Sequence, residues 1–273
     1  MASQVRIALV QMAIDEGDCG LNLARIEAEI AALGPLHDLL VFPETSTSGF
    51  ASRAEVEACA EPLDGPLVQR LRELAQLYCT SLAIGLPICE GGALYNCAVL
   101  IDPEGVRLVY RKTHLWGDDR AIFEPGHELR VCQWRGIGVG LLICFDIEFP
   151  EPARALAEMG AQLLLVCNGN MAPYGYVHRT AGSARAQENQ VFVAMCNRAG
   201  QGRRDRFDGE SMVIDPFGKV LGCLQDQPGH LSLCLDLDDL QRSRATYDYL
   251  KERRLSLAEP NLQGCLRLPG SPV

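Results

Sequence analysis

Short apolar runs alternate with helical stretches along nearly the whole of this 273-residue chain, and that alternation restricts its fold more than any other feature. Residues 5–10 read as a strand, and 22–33 as a helix with Leu23, Ile26 and Ile30 on one face. Residues 38–42 form a second short strand that stops at Pro43-Glu44. A helix follows over 66–78, with Pro66 at its start and Leu67, Leu71, Leu74 and Leu77 at helical spacing. Further strands fall at 81–88, 94–101, 106–110, 138–144, 162–167, 190–196, 211–214, 220–224 and 231–235, with helices at 151–159 and before Glu188. Two turns of one kind, Asp102-Pro103-Glu104-Gly105 and Asp215-Pro216-Phe217-Gly218, place proline second and glycine fourth, and so predict two hairpins. Strands with helices in both halves, and a hairpin echoed in each, imply one α/β unit containing two sheets. No linker divides residues 1–240. The charged, irregular stretch 241–273 is expected to be an arm packing on the same domain or on a partner subunit.

Composition narrows the partners. A net charge of −10 disfavours nucleic acid on electrostatic grounds. No window approaches the ~18 apolar residues of a membrane-spanning helix. The first residues, Met1-Ala2-Ser3-Gln4-Val5, lack the basic and apolar regions of an export signal, so a cytoplasmic location is expected. In that setting most of the twelve cysteines read as reduced, buried small hydrophobes. No Cys-x-x-Cys pair occurs, and the histidines scatter at 37, 114, 127, 178 and 230, so no metal site is expected.

One cysteine has an unusual setting. Cys144 stands where the apolar run Val139-Gly140-Leu141-Leu142-Ile143 meets Phe145-Asp146-Ile147-Glu148-Phe149-Pro150-Glu151, three carboxylates within seven residues. A side chain at such a strand end is held rigidly and faces a cleft, as a nucleophile requires. A buried core cysteine is the commoner fate of the residue type. Glu44 ends its own strand, where partial screening from water suits a general base, although a solvated turn carboxylate is the plainer reading. Lys112 also ends a strand and can donate to a developing oxyanion, or be simply exposed.

Taken together, three segments carry a resemblance. Leu39-Leu-Val-Phe-Pro-Glu44, Tyr110-Arg-Lys-Thr-His-Leu-Trp116 and Leu142-Ile-Cys-Phe-Asp-Ile-Glu-Phe-Pro-Glu151 resemble the signature regions of the nitrilase superfamily, the carbon–nitrogen hydrolases. The order Glu, Lys, Cys, with gaps of 68 and 32 residues, is similar to that family, and the likeness runs from the first strand through Phe217-Gly218.

The resemblance implies a four-layer α-β-β-α sandwich over residues 1–240, assembled as a homodimer or higher homo-oligomer, with no cofactor. It implies Cys144 as nucleophile, Glu44 as general base, and Lys112 with the Phe145 backbone N–H as oxyanion donors. The expected reaction is hydrolysis of a small aliphatic amide through a thioester. N-carbamoyl amines and nitriles are the alternatives for the same triad. A further family glutamate maps onto Asp119, one methylene shorter, with Glu124 as the neighbouring alternative. Several branches carry arginine where this chain has Glu148, so an acidic pocket mouth favouring amine-bearing amides is expected. A helix-terminal carboxylate is an equal reading of Glu148. Asn168, Asn170 and Tyr174, in the loop after the next strand, are candidate substrate contacts, though turn chemistry also accounts for the asparagines. Arg185 and Glu188 read as a structural helix pair. A peptidase using His114 or His178, a nucleotide module at Gly136-Ile-Gly-Val-Gly140 and a non-catalytic binding protein are weaker readings. The first leaves Glu44 idle, the second lacks dinucleotide-loop spacing, and the third is at odds with an intact triad.

Overall fold

Two sheets take up the strands that the alternation predicts. The structure is a computed structural model that describes residues 4–254 and 265–267. The strands are β1 (Gln4–Gln11), β2 (Leu39–Val41), β3 (Ser81–Glu90), β4 (Ala93–Asp102), β5 (Gly105–Arg111), β6 (Glu128–Trp134), β7 (Ile137–Ile143), β8 (Leu163–Asn168) and β9 (Phe192–Asn197). After them come β10 (Ala199–Gln201), β11 (Arg206–Asp208), β12 (Met212–Ile214), β13 (Val220–Cys223), β14 (Gly229–Asp236) and β15 (Cys265–Arg267). The first sheet has the order β14-β1-β2-β3-β4-β5, and the second β13-β12-β9-β8-β7-β6-β15. At the centre of each sheet the strands run parallel: β1 with β2 and β2 with β3 in one, β7 with β8 and β8 with β9 in the other. Both Asp-Pro-x-Gly turns close hairpins, β4 to β5 and β12 to β13.

Alternation along the strands sorts the core into layers. In β1, Ile7 and Leu9 turn toward the second sheet and join Leu141, Ile143, Leu163 and Leu165. Ala8 and Val10 turn the other way, against Ile26 and Ile30 of helix α1 (Cys19–Leu33) and Leu67, Leu71 and Leu74 of the third helix. The helices after α1 are α2 (Arg53–Cys59), α3 (Pro66–Leu77), α4 (Asp119–Ile122), α5 (Pro150–Glu158), α6 (Gly175–Asn189), α7 (Asp239–Arg244) and α8 (Tyr249–Glu252). α5 and α6 cover the outer face of the second sheet with Ala153, Leu156, Ala181 and Ala186. The result is helices, sheet, sheet, helices: the expected four-layer sandwich.

The departures have local causes. The stretch read as a polar loop over 113–127 contains the single turn α4, too short to show a periodic pattern. α2 escaped because its seven residues bury only Val56 and Cys59. It starts from Ser52, whose backbone N–H donates to the Glu55 carboxylate at 2.9 Å. β6 alternates too weakly to be read as a strand. The cysteines also differ from expectation. Cys19 and Cys59 are bonded to each other, joining the start of α1 to the end of α2, while Cys79, Cys223 and Cys234 are exposed. Of the arm expected over 241–273, residues 255–264 and 268–273 lie outside the described residues. The described part folds back on this chain: the Gln190 side chain donates to the Ser243 and Tyr247 carbonyls. Among the described residues no helix is long and apolar enough to cross a membrane.

Candidate active site

The nucleophile candidate and its two partners come from strand ends of different sheets. Lys112 follows β5, and Glu44 lies three residues beyond β2, in the first sheet; Cys144 follows β7 in the second. Both chains turn sharply there. Cys144 itself has φ 45° and Thr45, next to Glu44, has φ 43°, a left-handed region that non-glycine residues seldom occupy. Such strain persists only where surrounding contacts hold it, and it gathers at functional sites. Close packing holds the Glu44 turn: a Cβ on Gly85 would lie 2.5 Å from the Glu44 Cα, so only glycine lets β3 pass.

Glu44, Lys112 and Asp119 form one ionic cluster. The Lys112 ammonium donates to Glu44 Oε1 at 2.7 Å and to Asp119 Oδ2 at 2.6 Å. Asn96, in β4, donates to the same Glu44 oxygen at 2.7 Å. Glu44 is wholly buried and Lys112 nearly so. The lone carboxylate oxygen left over, Glu44 Oε2, has no hydrogen-bond partner among the described residues. A Cβ on Gly169 would sit 2.7 Å from that oxygen. The Gly169 backbone N–H in turn acts on the Cys144 thiol. Glu44 Oε2 and the Cys144 thiol therefore both lie near Gly169.

The electrostatics follow from burial and charge. Burial, countered by Lys112 and reinforced by Asp119, raises the Glu44 carboxyl above the ordinary 4.5. Burial acts to lower the Lys112 ammonium, but the Glu44 and Asp119 charges outweigh it and hold the group well above the ordinary lysine value. The Cys144 thiol is pushed well above its ordinary value by burial and then by the Glu44 charge, with Lys112 and the Gly169 N–H working the other way. A thiol held neutral in this way needs a base before it can attack a carbonyl.

A cavity of about 720 Å³ opens over this cluster. Lys112, Asp119 and Cys144 reach it, while Glu44 stays behind them. Phe145, Glu148 and Tyr174 also line it, together with Phe50, Trp116 and Met171. Glu148 is not a free helix-terminal carboxylate: its Oε1 lies 3.1 Å from His178 Nε2 on α6. Asn168 and Asn170 are placed differently from expectation. Neither is on the cavity wall. Asn168 Oδ1 accepts the Gly169 N–H, and the Asn170 backbone N–H and C=O are both engaged by Asn197, so these asparagines shape the loop. Glu124 makes its backbone bond to Leu94, and it is Asp119 that reaches the lysine. Arg185 pairs with Glu188 at 3.0 Å as expected, and also donates to the Ile147 and Glu148 carbonyls under the nucleophile turn. The histidines weighed for a peptidase are engaged elsewhere, His114 with Asp146 and His178 with Glu148. Sequence reasoning missed Asn96. Its only signal was a buried polar residue inside an apolar strand. Among the described residues no group of three or more His, Cys, Asp or Glu is placed to hold a metal ion.

The sandwich and this cluster define a hydrolase of carbon–nitrogen bonds other than peptide bonds, and the chain belongs to the carbon–nitrogen hydrolase family, whose model matches residues 6–245. It is 49% identical to an (R)-stereoselective amidase of a Pseudomonas species, over 93% of each chain. It is similar to a carbon–nitrogen hydrolase superfamily protein of Xanthomonas campestris whose crystal structure has an arsenic adduct in the active site. That likeness has a TM-score of 0.87 at 27% identity, covering 93% of this chain and 99% of that one. It also resembles an amidase from Nesterenkonia, at TM-score 0.79 and 33% identity over 92% and 94% of the two chains. There a glutamate-to-glutamine variant shows the acetamide moiety of fluoroacetamide bound covalently to the active-site cysteine.

Proposed function

We propose that this protein is an amidase that cleaves small amides to the carboxylic acid and ammonia through a thioester on Cys144. The observation that carries the reading is the unpartnered buried Glu44 Oε2 beside the thiol, with Lys112 held between two carboxylates at the cavity floor. As the sulfur attacks the carbonyl carbon, Glu44 takes the thiol proton. Negative charge gathers on the carbonyl oxygen, where the Lys112 ammonium and the Phe145 N–H stabilise it. Collapse breaks the C–N bond, and the proton passes from Glu44 to the departing nitrogen. Glu44 then draws a proton from water, the hydroxide adds to the thioester, and the acid leaves with Cys144 restored. The likeness to two amidases supports an amide as substrate over a carbamoyl amine or nitrile.

Glu148, at the cavity wall and part-exposed, supports a preference for amides bearing an amine over those bearing a carboxylate. Residues 1–240 are the hydrolase domain in this reading, and 241–273 the arm; the family match ending at residue 245 supports that division. A cytoplasmic homodimer or higher oligomer is the accompanying expectation; three exposed unbridged thiols favour a reducing compartment, and the Cys19–Cys59 bond weighs against it.

Ammonia release across amides, carbamoyl amino acids and nitriles tests the reading, with Cys144→Ala as control. Turnover of amides that vanishes in the control is the expected result. Ammonia release undiminished by Cys144→Ala would sink it, and turnover confined to nitriles or carbamoyl compounds would replace the substrate class.

A further inference from the structure

A second buried carboxylate lies close to the triad and takes no part in the steps above. Asp146 is wholly buried, two residues past the nucleophile. Its Oδ2 accepts the Tyr110 hydroxyl at 2.8 Å and the Ile143 backbone N–H at 3.1 Å. Its Oδ1 accepts the Thr113 hydroxyl at 3.0 Å, the His114 backbone N–H at 3.0 Å and His114 Nδ1 at 2.8 Å. Five donor contacts converge on this one carboxylate.

Burial and then the Asp146 charge push the Tyr110 hydroxyl well above its ordinary value, so it stays a donor. It donates to Oδ2, and Thr113, whose hydroxyl also lies 2.9 Å from the Tyr110 oxygen and 3.1 Å from His114 Nδ1, donates to Oδ1. A carboxylate oxygen accepts, so the hydrogen bond at Oδ1 is made with the Nδ1–H form of His114. The His114 ring is stacked on Phe149 with centroids 4.0 Å apart, and Phe149 meets the edge of Phe145 on the cavity wall.

The partners have a pattern. Ile143 immediately precedes Cys144, and Tyr110, Thr113 and His114 bracket Lys112. One carboxylate therefore ties the strained nucleophile turn of the second sheet to the lysine strand of the first. Lys112 is already held from the opposite side, its N–H donating to the Asn96 carbonyl and its C=O accepting from Gly126, each at 2.8 Å. We infer that Asp146 is a positioning residue which fixes the distance between Cys144 and Lys112 by clamping the two segments together, acting through them without touching substrate.

Alkylation of Cys144 by iodoacetamide, located by peptide mass, tests this without reference to the natural substrate, so its outcome is separable from that of the amidase reading. The variants are Asp146→Asn, Thr113→Val and the pair together, with melting temperature measured alongside. Asp146→Asn turns one of the two acceptor oxygens into a donor, which then opposes either the Thr113 and His114 donors or those of Tyr110 and Ile143. It is expected to slow alkylation by about a hundredfold and to displace its pH profile, while Thr113→Val, which removes one donor, slows it by about threefold. Because both act through one clamp, the double variant is expected to be no slower than Asp146→Asn alone. Should Asp146→Asn fail to fold, a slower, pH-shifted alkylation in Thr113→Val at an unchanged melting temperature still supports the clamp. An unchanged rate and pH profile in folded variants, or losses that simply multiply, would overturn it.

Discussion

The floor and the mouth of the cavity are both built from charged side chains, but the charges are held differently. At the floor, Glu44 and Lys112 are at most 2% exposed, and their contacts with each other, Asp119 and Asn96 all lie at 2.6–2.7 Å. At the mouth, Arg204 and Asp118 face each other at 2.6 Å with about four fifths of each side chain in water. Arg203 reaches Glu55 at 2.8 Å with half its side chain exposed. Low dielectric makes each floor contact strong and each missing one costly, whereas water and salt screen the mouth. The floor is therefore suited to chemistry and the mouth to selection, and substitutions separate the two.

Glu44→Gln removes the proposed base and keeps the shape, so kcat is expected to fall by about a thousandfold with little change in KM. A loss of less than tenfold in steady-state assays would place the base elsewhere. Asp119→Asn is expected to lower kcat by about tenfold to a hundredfold, since Lys112 loses one of its two anchors. It also carries a sign. The Asp119 charge helps raise the Glu44 carboxyl, and activity is lost as pH falls through that value because the base becomes protonated. The acid limb of kcat/KM should lie above pH 4.5 in the native protein and move to lower pH in Asp119→Asn. A move to higher pH contradicts the coupling.

Effects at the mouth are expected to be smaller. Glu148→Gln should raise KM about fivefold for an amide carrying a cationic amine and leave a neutral amide unaffected, so paired substrates decide it. Arg204→Ala should change kcat/KM by no more than about twofold, the usual weight of an exposed ion pair. A tenfold change there would mean that the mouth is not merely selective.

Much of this arrangement was visible before any coordinates. The strands that deliver Glu44, Lys112 and Cys144 are short, apolar and bounded by polar residues, and local pattern was enough to find them. Asp119 was legible only through the family resemblance, which places a further glutamate at that position after Lys112. Contacts between distant segments were not legible. Asn96 is 52 residues from Glu44, His178 is 30 from Glu148, and Tyr110 is 36 from Asp146. Nothing in local periodicity encodes which strand ends come together when two sheets stack. Asn168 and Asn170 are off the cavity wall for reasons no local pattern shows: Asn168 spends its side-chain oxygen on the Gly169 N–H, and the Asn170 backbone is held by the distant Asn197. α2 and α4 were passed over because seven and four residues are too few to show helical spacing.

The ionic cluster at the floor has a consequence for what happens after the chemistry. Two carboxylates, Glu44 and Asp119, share a single ammonium there. A neutral amide arrives without opposition from that excess of negative charge, but hydrolysis turns it into a carboxylate anion in the same place. Substrate and product thus differ in their electrostatic welcome, and the acid is driven out as it forms. Weak inhibition by the product acid is the expected signature, strengthening in Asp119→Asn, where the excess is removed.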